Sequence, residues 1–340
     1  MTTGAPVLVC PACGAATVAG DRFCEACGAD LPFTEPAPVP VTDAEPGGPP
    51  CVSCGAPADE IVDGYCGVCG MKQPAARDHV ELAYPGVAAV SDRGRRHRRN
   101  EDAFALDVDA DGRVVAVVCD GVSSTVNPDV ASQAAADAAI AVLVPAPKDG
   151  EAEEVLLTAH QAAQAAVVAV DGEPVPPDLG WPSCTFLAGV MDGDVAHLAS
   201  LGDCRTFWLP SDGGGETLTE DDSWAAEKIA AGALTVDEAY AHPLAHTITR
   251  WLGHDADPSW RPRLHRFQAT VPGRLVLCSD GLWNHAATGA EVAAAGGAET
   301  DALALAQRLV SFANDSGGHD NVTVVVVDVP RPDPSKGLPA

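Results

Sequence analysis

The sequence predicts an α+β fold in which antiparallel β-sheets are covered by helices, preceded by two small cysteine-built units. Three observations carry this. From Gly86 onward, short strand-like runs alternate with long Ala-rich helical runs. Strand-like runs are joined by Asp-Gly pairs, as at Asp111-Gly112 and Asp192-Gly193, a hairpin signal that argues against a parallel doubly wound sheet. Before residue 70, eight of the 12 cysteines fall in four Cys-x-x-Cys pairs.

Those pairs are Cys10/Cys13, Cys24/Cys27, Cys51/Cys54 and Cys66/Cys69, and each is followed at once by glycine. Glycine permits the positive φ with which backbone N–H groups fold round to face a thiolate. Four thiolates in two such knuckles surround one tetrahedral Zn²⁺, so two structural zinc ions are expected, at residues 8–30 and 51–72. Redox dithiols, disulfides and a rubredoxin-like iron site use the same residues and stay open as alternatives. These units resemble the double zinc ribbons that serve as interaction modules in multidomain proteins. Residues 31–50 are crowded with proline and are expected to form a stiff extended spacer. Residues 73–85 read as a second linker.

Strands are expected over Val87 to Ser91, Ala103 to Val108, Val114 to Cys119, Cys184 to Met191, Val195 to Ser200, Arg205 to Leu209, Leu264 to Ala269, Leu275 to Cys278 and Val322 to Val329. Apolar residues at three-to-four spacing predict helices over Val130 to Val144, Glu153 to Val170, Trp224 to Ala231 and Asp301 to Asn314. Residues 86–329 are thus expected to form one large domain, and 330–340 a disordered tail.

Composition excludes several functions. The chain of 340 residues has 48 Asp and Glu against 20 Lys and Arg, a net charge of −28. Such a surface repels nucleic acid and anionic lipid. No apolar run reaches the ~20 residues needed to span a bilayer. The first ten residues lack the basic and apolar regions of a secretion signal, so a reducing cytoplasm is expected. There the remaining cysteines, Cys119, Cys184, Cys204 and Cys278, read as small core residues.

Aspartates recur at strand ends: Asn100-Glu101-Asp102, Cys119-Asp120-Gly121, Gly202-Asp203-Cys204-Arg205, Ser279-Asp280-Gly281 and His319-Asp320-Asn321. Hard oxygen ligands converging on one sheet edge would collect Mg²⁺ or Mn²⁺. In order and separation the segments around them, Arg95 to Asp102, Val117 to Ser123, Leu201 to Arg205, Leu277 to Trp283 and Asp320 to Val324, resemble the metal-dependent, type 2C Ser/Thr protein phosphatases of the PPM family, over about residues 86 to 329. The resemblance implies a four-layer αββα sandwich with a pair of Mg²⁺ or Mn²⁺ ions at one end. It implies that Asp120 bridges both ions, with the Gly121 carbonyl on one and Asp280 and Asp320 on the other. Glu101 and Asp102 would hold metal-bound waters, and Asp203 a weaker third ion.

Two positions depart from that family. His97 stands where an arginine commonly grips substrate phosphate, flanked by Arg95, Arg96, Arg98 and Arg99. The phosphate-binding group is therefore expected to be His97 or a neighbour, Arg96 or Arg98, on a basic rim. Val122 follows Asp-Gly where some relatives carry a histidine, the candidate general acid. A metal-bound water, or His242 or His246 in the segment between Thr219 and Pro262, is the alternative donor. The function implied is metal-dependent hydrolysis of phosphoserine and phosphothreonine on substrates of a Ser/Thr kinase, with zinc ribbons docking a protein partner. A catalytically weak phosphatase-fold regulator and a zinc-ribbon adaptor are the alternatives.

Overall fold

The computed structural model describes residues 49–62, 64–146, 152–172 and 179–330, with the backbone of two short strands, Leu8–Val9 and Ala16–Thr17. Cys10, Cys13, Cys24 and Cys27, the spacer to residue 48 and the tail after residue 330 lie outside the described residues. The chain divides into two compact units, Met1–Gln73 and Pro74–Ala340.

In the first unit Leu8–Val9 pairs antiparallel with Ala16–Thr17, and Ile61–Val62 with Tyr65–Cys66. Cys51, Ala56 and Cys66 are buried together, with Ile61 packed against them. So small a core needs a metal or other cross-link to hold it.

The second unit begins with β1 (His79–Tyr84) and β2 (Val87–Asp92), then β3 (Ala103–Val108) and β4 (Val114–Cys119). Helices α1 (Pro128–Leu143) and α2 (Ala152–Val168) follow. Next come β5 (Phe186–Asp192), β6 (Val195–Leu201), β7 (Arg205–Pro210), β8 (Glu216–Thr217), β9 (Arg263–Gln268) and β10 (Gly273–Cys278). Helices α3 (Gly289–Gly296) and α4 (Ala302–Asp315) and strand β11 (Val322–Val329) follow, and shorter helices occupy Trp224–Ala230, near the expected bounds, Val236–Tyr240 and Asp280–Trp283. All pairings are antiparallel, in a five-stranded sheet β9-β6-β5-β4-β3 and a six-stranded sheet β8-β7-β10-β11-β2-β1.

The layering follows from strand alternation. Val115, Val117 and Cys119 of β4 pack with Ala131, Ala135 and Ala139 of α1 and Leu156, Ala159 and Ala163 of α2. Val114, Ala116 and Val118 turn the other way, toward Leu277, Val325 and Val327 of the second sheet. In β11, Val324 and Val326 meet Leu305, Leu309 and Val310 of α4. Both strands are covered on both faces, which is why they read as nearly continuous valine-rich runs. Each buried valine contributes roughly 1.5–3 kcal/mol relative to exposure. This is the expected αββα sandwich.

The sequence reading lacks the short strand β8 and the helix Val236–Tyr240, and three further elements differ from it. β1 lies within residues 73–85, which read as a linker: it is an edge strand with exposed residues, paired only to β2, so no buried face marks it. The sheet therefore starts at His79 rather than after Gly86. α3 is a short Gly-flanked helix capped by Thr288 and Glu291, too brief for a clear period. The strand expected over Cys184 to Met191 is broken at Thr185, giving Ser183–Cys184 and β5. Thr185 is diverted to Asp120, as described next.

Candidate metal centre

Each acidic residue singled out above leaves a strand end or a tight loop. Asp120 follows β4, and Thr185 holds it from both sides: the Asp120 N–H donates to Thr185 Oγ1 at 2.9 Å, and the Thr185 N–H donates to the Asp120 carbonyl at 2.8 Å. At Gly121 a Cβ would stand 2.5 Å from the Pro128 carbonyl and 2.7 Å from that of Glu101, so no side chain fits. At Gly281 a Cβ would collide with the Asn321 carbonyl. The two Asp-Gly turns thus have glycine because backbone passes against them.

The Asn100-Glu101-Asp102 turn is buried. Asp102 Oδ2 accepts from Ser279 Oγ at 2.7 Å and Thr323 Oγ1 at 2.8 Å, tying β3 to the ends of β10 and β11. Glu101 accepts from Arg99 Nε at 3.0 Å and from the Ser123 hydroxyl. The Asn321 carboxamide spans the loop before this turn: it accepts from the Glu101 N–H at 2.7 Å and donates to the carbonyls of Arg93, at 2.8 Å, and Arg99, at 3.0 Å.

Asp203 is buried in the turn before β7, where the Trp283 indole donates to its carbonyl at 2.8 Å. Arg205 lies 3.7 Å over the Trp283 ring and forms a two-pronged pair with Asp221, at 2.9 and 2.6 Å. The segment after β8 thereby braces the Asp203 turn.

Electrostatics single out this set. Burial, and then the charges of Asp102, Asp280, Asp320 and Asp203, push the Asp120 carboxyl well above the carboxylate range. Asp280 is raised in the same way by burial and by Asp203, Asp320 and Asp102. Burial pushes Asp102 and Asp203 up to about 7. The Oδ1 atoms of Asp102 and Asp280 are buried with no hydrogen-bond partner. Carboxylates crowded at such cost, with orphaned oxygens, suit divalent cations that prefer hard oxygen donors. The set is broader than a one-ion cage: among the described residues, the four cysteines below are the group of three or more His, Cys, Asp or Glu donors that all lie within 4.8 Å.

Of the basic residues, His97 turns inward, with Nε2 at 3.2 Å from Asp320 Oδ1 and Nδ1 at 3.9 Å from Glu101 Oε2. Arg96 and Arg98 are exposed on the same loop, and with His97, Arg99, Glu101, Ser123 and His319 they line a cleft of about 510 Å³. Val122 donates its N–H to the Ser183 carbonyl. His242 stacks on Trp224 at 4.1 Å, and His246 lies between Tyr240 and Trp283. Both belong to the segment bracing Asp203, and neither forms an ion pair with the carboxylate set. Ser279 and Thr323, anchors of Asp102, and Ser123, which donates to Glu101, lie inside the segments that carry the family resemblance; Arg77 lies in none of them.

In the first unit, Cys51 Sγ lies 3.6 Å from Cys69 Sγ, and Cys54 Sγ 3.6 Å from Cys66 Sγ. A tetrahedron of sulfurs ~2.3 Å from zinc has edges of ~3.8 Å, so the spacing fits. The backbone N–H of Cys54 draws the Cys51 thiol down to about 6, and Gln73 Nε2 donates to the Cys51 sulfur at 3.3 Å. Gly55 and Gly70 take φ of +72° and +71°, as the knuckles require.

Residues 93–324 match the family model for protein phosphatase 2C, and residues 10–70 that for a double zinc ribbon. The serine/threonine protein phosphatase PstP of Mycobacterium tuberculosis is 35% identical over 244 residues, 71% of this chain and 44% of that protein. The chain thus spans less than half the length of that relative. The serine/threonine phosphatase stp of Listeria innocua is 30% identical over 246 residues, 70% of this chain and 93% of that protein. The crystal structure of M. tuberculosis PstP superposes with a TM-score of 0.60 at 32% identity, covering 72% of this chain and 98% of that one. The PstP catalytic domain in complex with two manganese ions gives 0.59 at 30% identity, covering 74% and 99%. Among the described residues no helix is long and apolar enough to cross a membrane.

Proposed function

The chain belongs to the protein phosphatase 2C family and carries a double zinc ribbon ahead of the matched domain, and from that premise we propose that it hydrolyses phosphoserine and phosphothreonine on cytoplasmic proteins. The observation that carries this is the crowding of carboxylates at the strand ends: Asp102, Asp120, Asp203 and Asp280 are each raised by burial and then by neighbouring carboxylates, Asp320 among them. Asp120, the Gly121 carbonyl, Asp280 and Asp320 would hold two Mn²⁺ or Mg²⁺ ions, Asp203 a third, and Glu101 and Asp102 the waters around them. Such a pair supplies a nucleophile near neutral pH and stabilises charge on phosphorus.

The chain's own groups do the rest. Arg96 and Arg98, exposed at the cleft, attract the phosphate in an otherwise acidic molecule, and a guanidinium offers a planar fork to it. His97 keeps Asp320 oriented from 3.2 Å. Zinc in each four-cysteine unit holds a ribbon that docks a protein partner, which brings a kinase-phosphorylated substrate to the cleft.

Hydrolysis of a phosphothreonine peptide by the purified chain tests the reading. It is expected to require Mn²⁺ or Mg²⁺ and to disappear with EDTA. Activity that persists in EDTA overturns it. A folded, Mn²⁺-binding chain without hydrolysis supports the second reading, a phosphatase-fold regulator, which the departures at His97 and Val122 favour.

A further inference from the structure

We infer that Arg77 is a positioning residue for the metal centre, set by a strap ahead of the first strand; the inference rests on the reading above only in taking the Asp102 cluster as the metal site. Arg77 belongs to none of the five acidic motifs and lies in the segment that reads as a linker. Its guanidinium nevertheless reaches the turn that carries Glu101 and Asp102. Nε donates to the Asn100 carbonyl at 2.9 Å and Nη2 to the Asp102 carbonyl at 2.9 Å. Nη1 donates to Gln133 Oε1 at 2.8 Å, and Nη2 also to Ser132 Oγ at 3.2 Å.

The carbonyl between these two, that of Glu101, accepts from the Ser132 hydroxyl and from the Gly121 N–H at 3.1 Å. Arg77 and Ser132 therefore bind three consecutive carbonyls of a turn whose residues are all at most 7% exposed. Asn100 returns the contact, donating Nδ2 to the Arg77 carbonyl at 3.2 Å and to Ser91 Oγ at 2.8 Å. Ser91 meets Thr323 Oγ1 at 2.8 Å, and Thr323 donates to Asp102 Oδ2 at 2.8 Å. A closed circuit thus runs from the guanidinium to the carboxylate. Next to it, the Asp78 carbonyl accepts from the Arg93 N–H at 2.8 Å, so two successive strap residues hold both ends of the 93–102 loop.

Only a rigid fork with several donors spans two carbonyls of one turn while also reaching a helix. Without it, buried carbonyls lose their partners and the turn is free to shift, moving Glu101 and Asp102 together. Partners that orient ligands typically change metal affinity by ~10–100-fold when lost.

The test uses the full chain loaded with zinc, with Mn²⁺ binding measured by calorimetry and hydrolysis of p-nitrophenyl phosphate followed against Mn²⁺ concentration. Arg77→Ala is expected to weaken Mn²⁺ binding about tenfold and to raise the Mn²⁺ needed for half-maximal rate by the same factor. KM for the substrate at saturating Mn²⁺ should stay within about twofold, and Arg77→Lys, with donors but no fork, should fall between. Arg113→Ala is the control, because that buried arginine donates to the Leu143 and Val144 carbonyls at the end of α1 and should cost stability without moving Mn²⁺ affinity. A folded Arg77→Ala chain with wild-type Mn²⁺ affinity overturns the inference, as does an equal loss in Arg113→Ala. If Arg77→Ala does not fold, Arg77→Gln and Arg77→Lys carry the same comparison. A wild-type chain that binds Mn²⁺ but hydrolyses nothing refutes the phosphatase reading while the Arg77 comparison still reads out. One that binds no Mn²⁺ overturns the inference.

Discussion

His97 Nε2 lies 3.2 Å from Asp320 Oδ1, so the side chain standing at the phosphate-gripping position of relatives touches a carboxylate of the cluster. That contact divides the basic loop into a histidine turned toward the cluster and exposed arginines at 96 and 98. His97→Ala should therefore shift the Mn²⁺ dependence of hydrolysis and leave KM for a phosphopeptide within about twofold. The double variant Arg96→Ala/Arg98→Ala should raise KM about tenfold, the loss of one charge-assisted pair. Steady-state kinetics at saturating Mn²⁺ check this, and a large KM rise in His97→Ala would return the phosphate to the histidine.

Asp120 is destabilised by burial and by four neighbouring carboxylates, a functional strain that its replacement should relieve. Asp120→Asn should lower kcat at least 100-fold, since the developing charge on phosphorus loses its stabilisation. In EDTA the same variant should melt higher than wild type, by roughly 2–4 °C for each kcal/mol recovered. Calorimetric unfolding with and without Mn²⁺ checks the pair of effects. A variant less stable than wild type in EDTA would mean that Asp120 is held mainly for the fold.

The sequence displays those features whose physics depends on residue type. Val322–Val329 is legible because both faces of the strand are buried. Asp120, Asp280 and Asp320 are legible because each sits in a motif that keeps a glycine or asparagine beside it. β1 is hidden because an exposed edge strand needs no alternation. Arg77 is hidden for a different reason: its partners include backbone carbonyls, which every residue possesses. The contact of His97 with Asp320 joins positions far apart in the chain, and nothing local to either announces it.

The four-cysteine geometry around Cys51, Cys54, Cys66 and Cys69, repeated in the spacing of Cys10, Cys13, Cys24 and Cys27, sets the zinc content at two per chain. Elemental analysis of the purified chain should find two zinc and no iron. Cys54→Ser combined with Cys66→Ser should remove one and leave hydrolysis of a small substrate intact. Finding iron, or no tightly held metal, would refute the ribbon assignment.

Gln73 is tied into the ribbon through Cys51 and the Met71 carbonyl, and Arg77 into the turn at Asn100, so the boundary between the units falls at Pro74. A chain beginning at Pro74 should keep Mn²⁺-dependent hydrolysis of p-nitrophenyl phosphate, whereas one beginning at His79 should lose most of its Mn²⁺ affinity. A folded but inactive chain from Pro74 would show that the ribbons belong to the catalytic assembly.

His160, on α2, is 5% exposed, meets Phe186 edge-on at 5.6 Å and has no hydrogen-bond partner at either ring nitrogen. Burial, and then the charge of Arg261, push it down to about 4. The unfolded chain takes up this proton near pH ~6.5, but the folded chain does so only near 4. Between those values the unfolded state binds more protons, so stability falls as pH falls through that window and is unaffected above it. At pH 5 the loss from this group approaches about 2 kcal/mol, or roughly 4–8 °C in Tm. His160→Phe keeps a ring against Phe186 and removes the titration. Its Tm should therefore drop less than that of wild type between pH 7 and 5, whatever fixed packing cost it carries at both. Melting both proteins in EDTA at the two pH values, so that the metal cluster contributes equally, isolates the difference. Parallel declines would mean that His160 is protonated in the folded state well above pH 5.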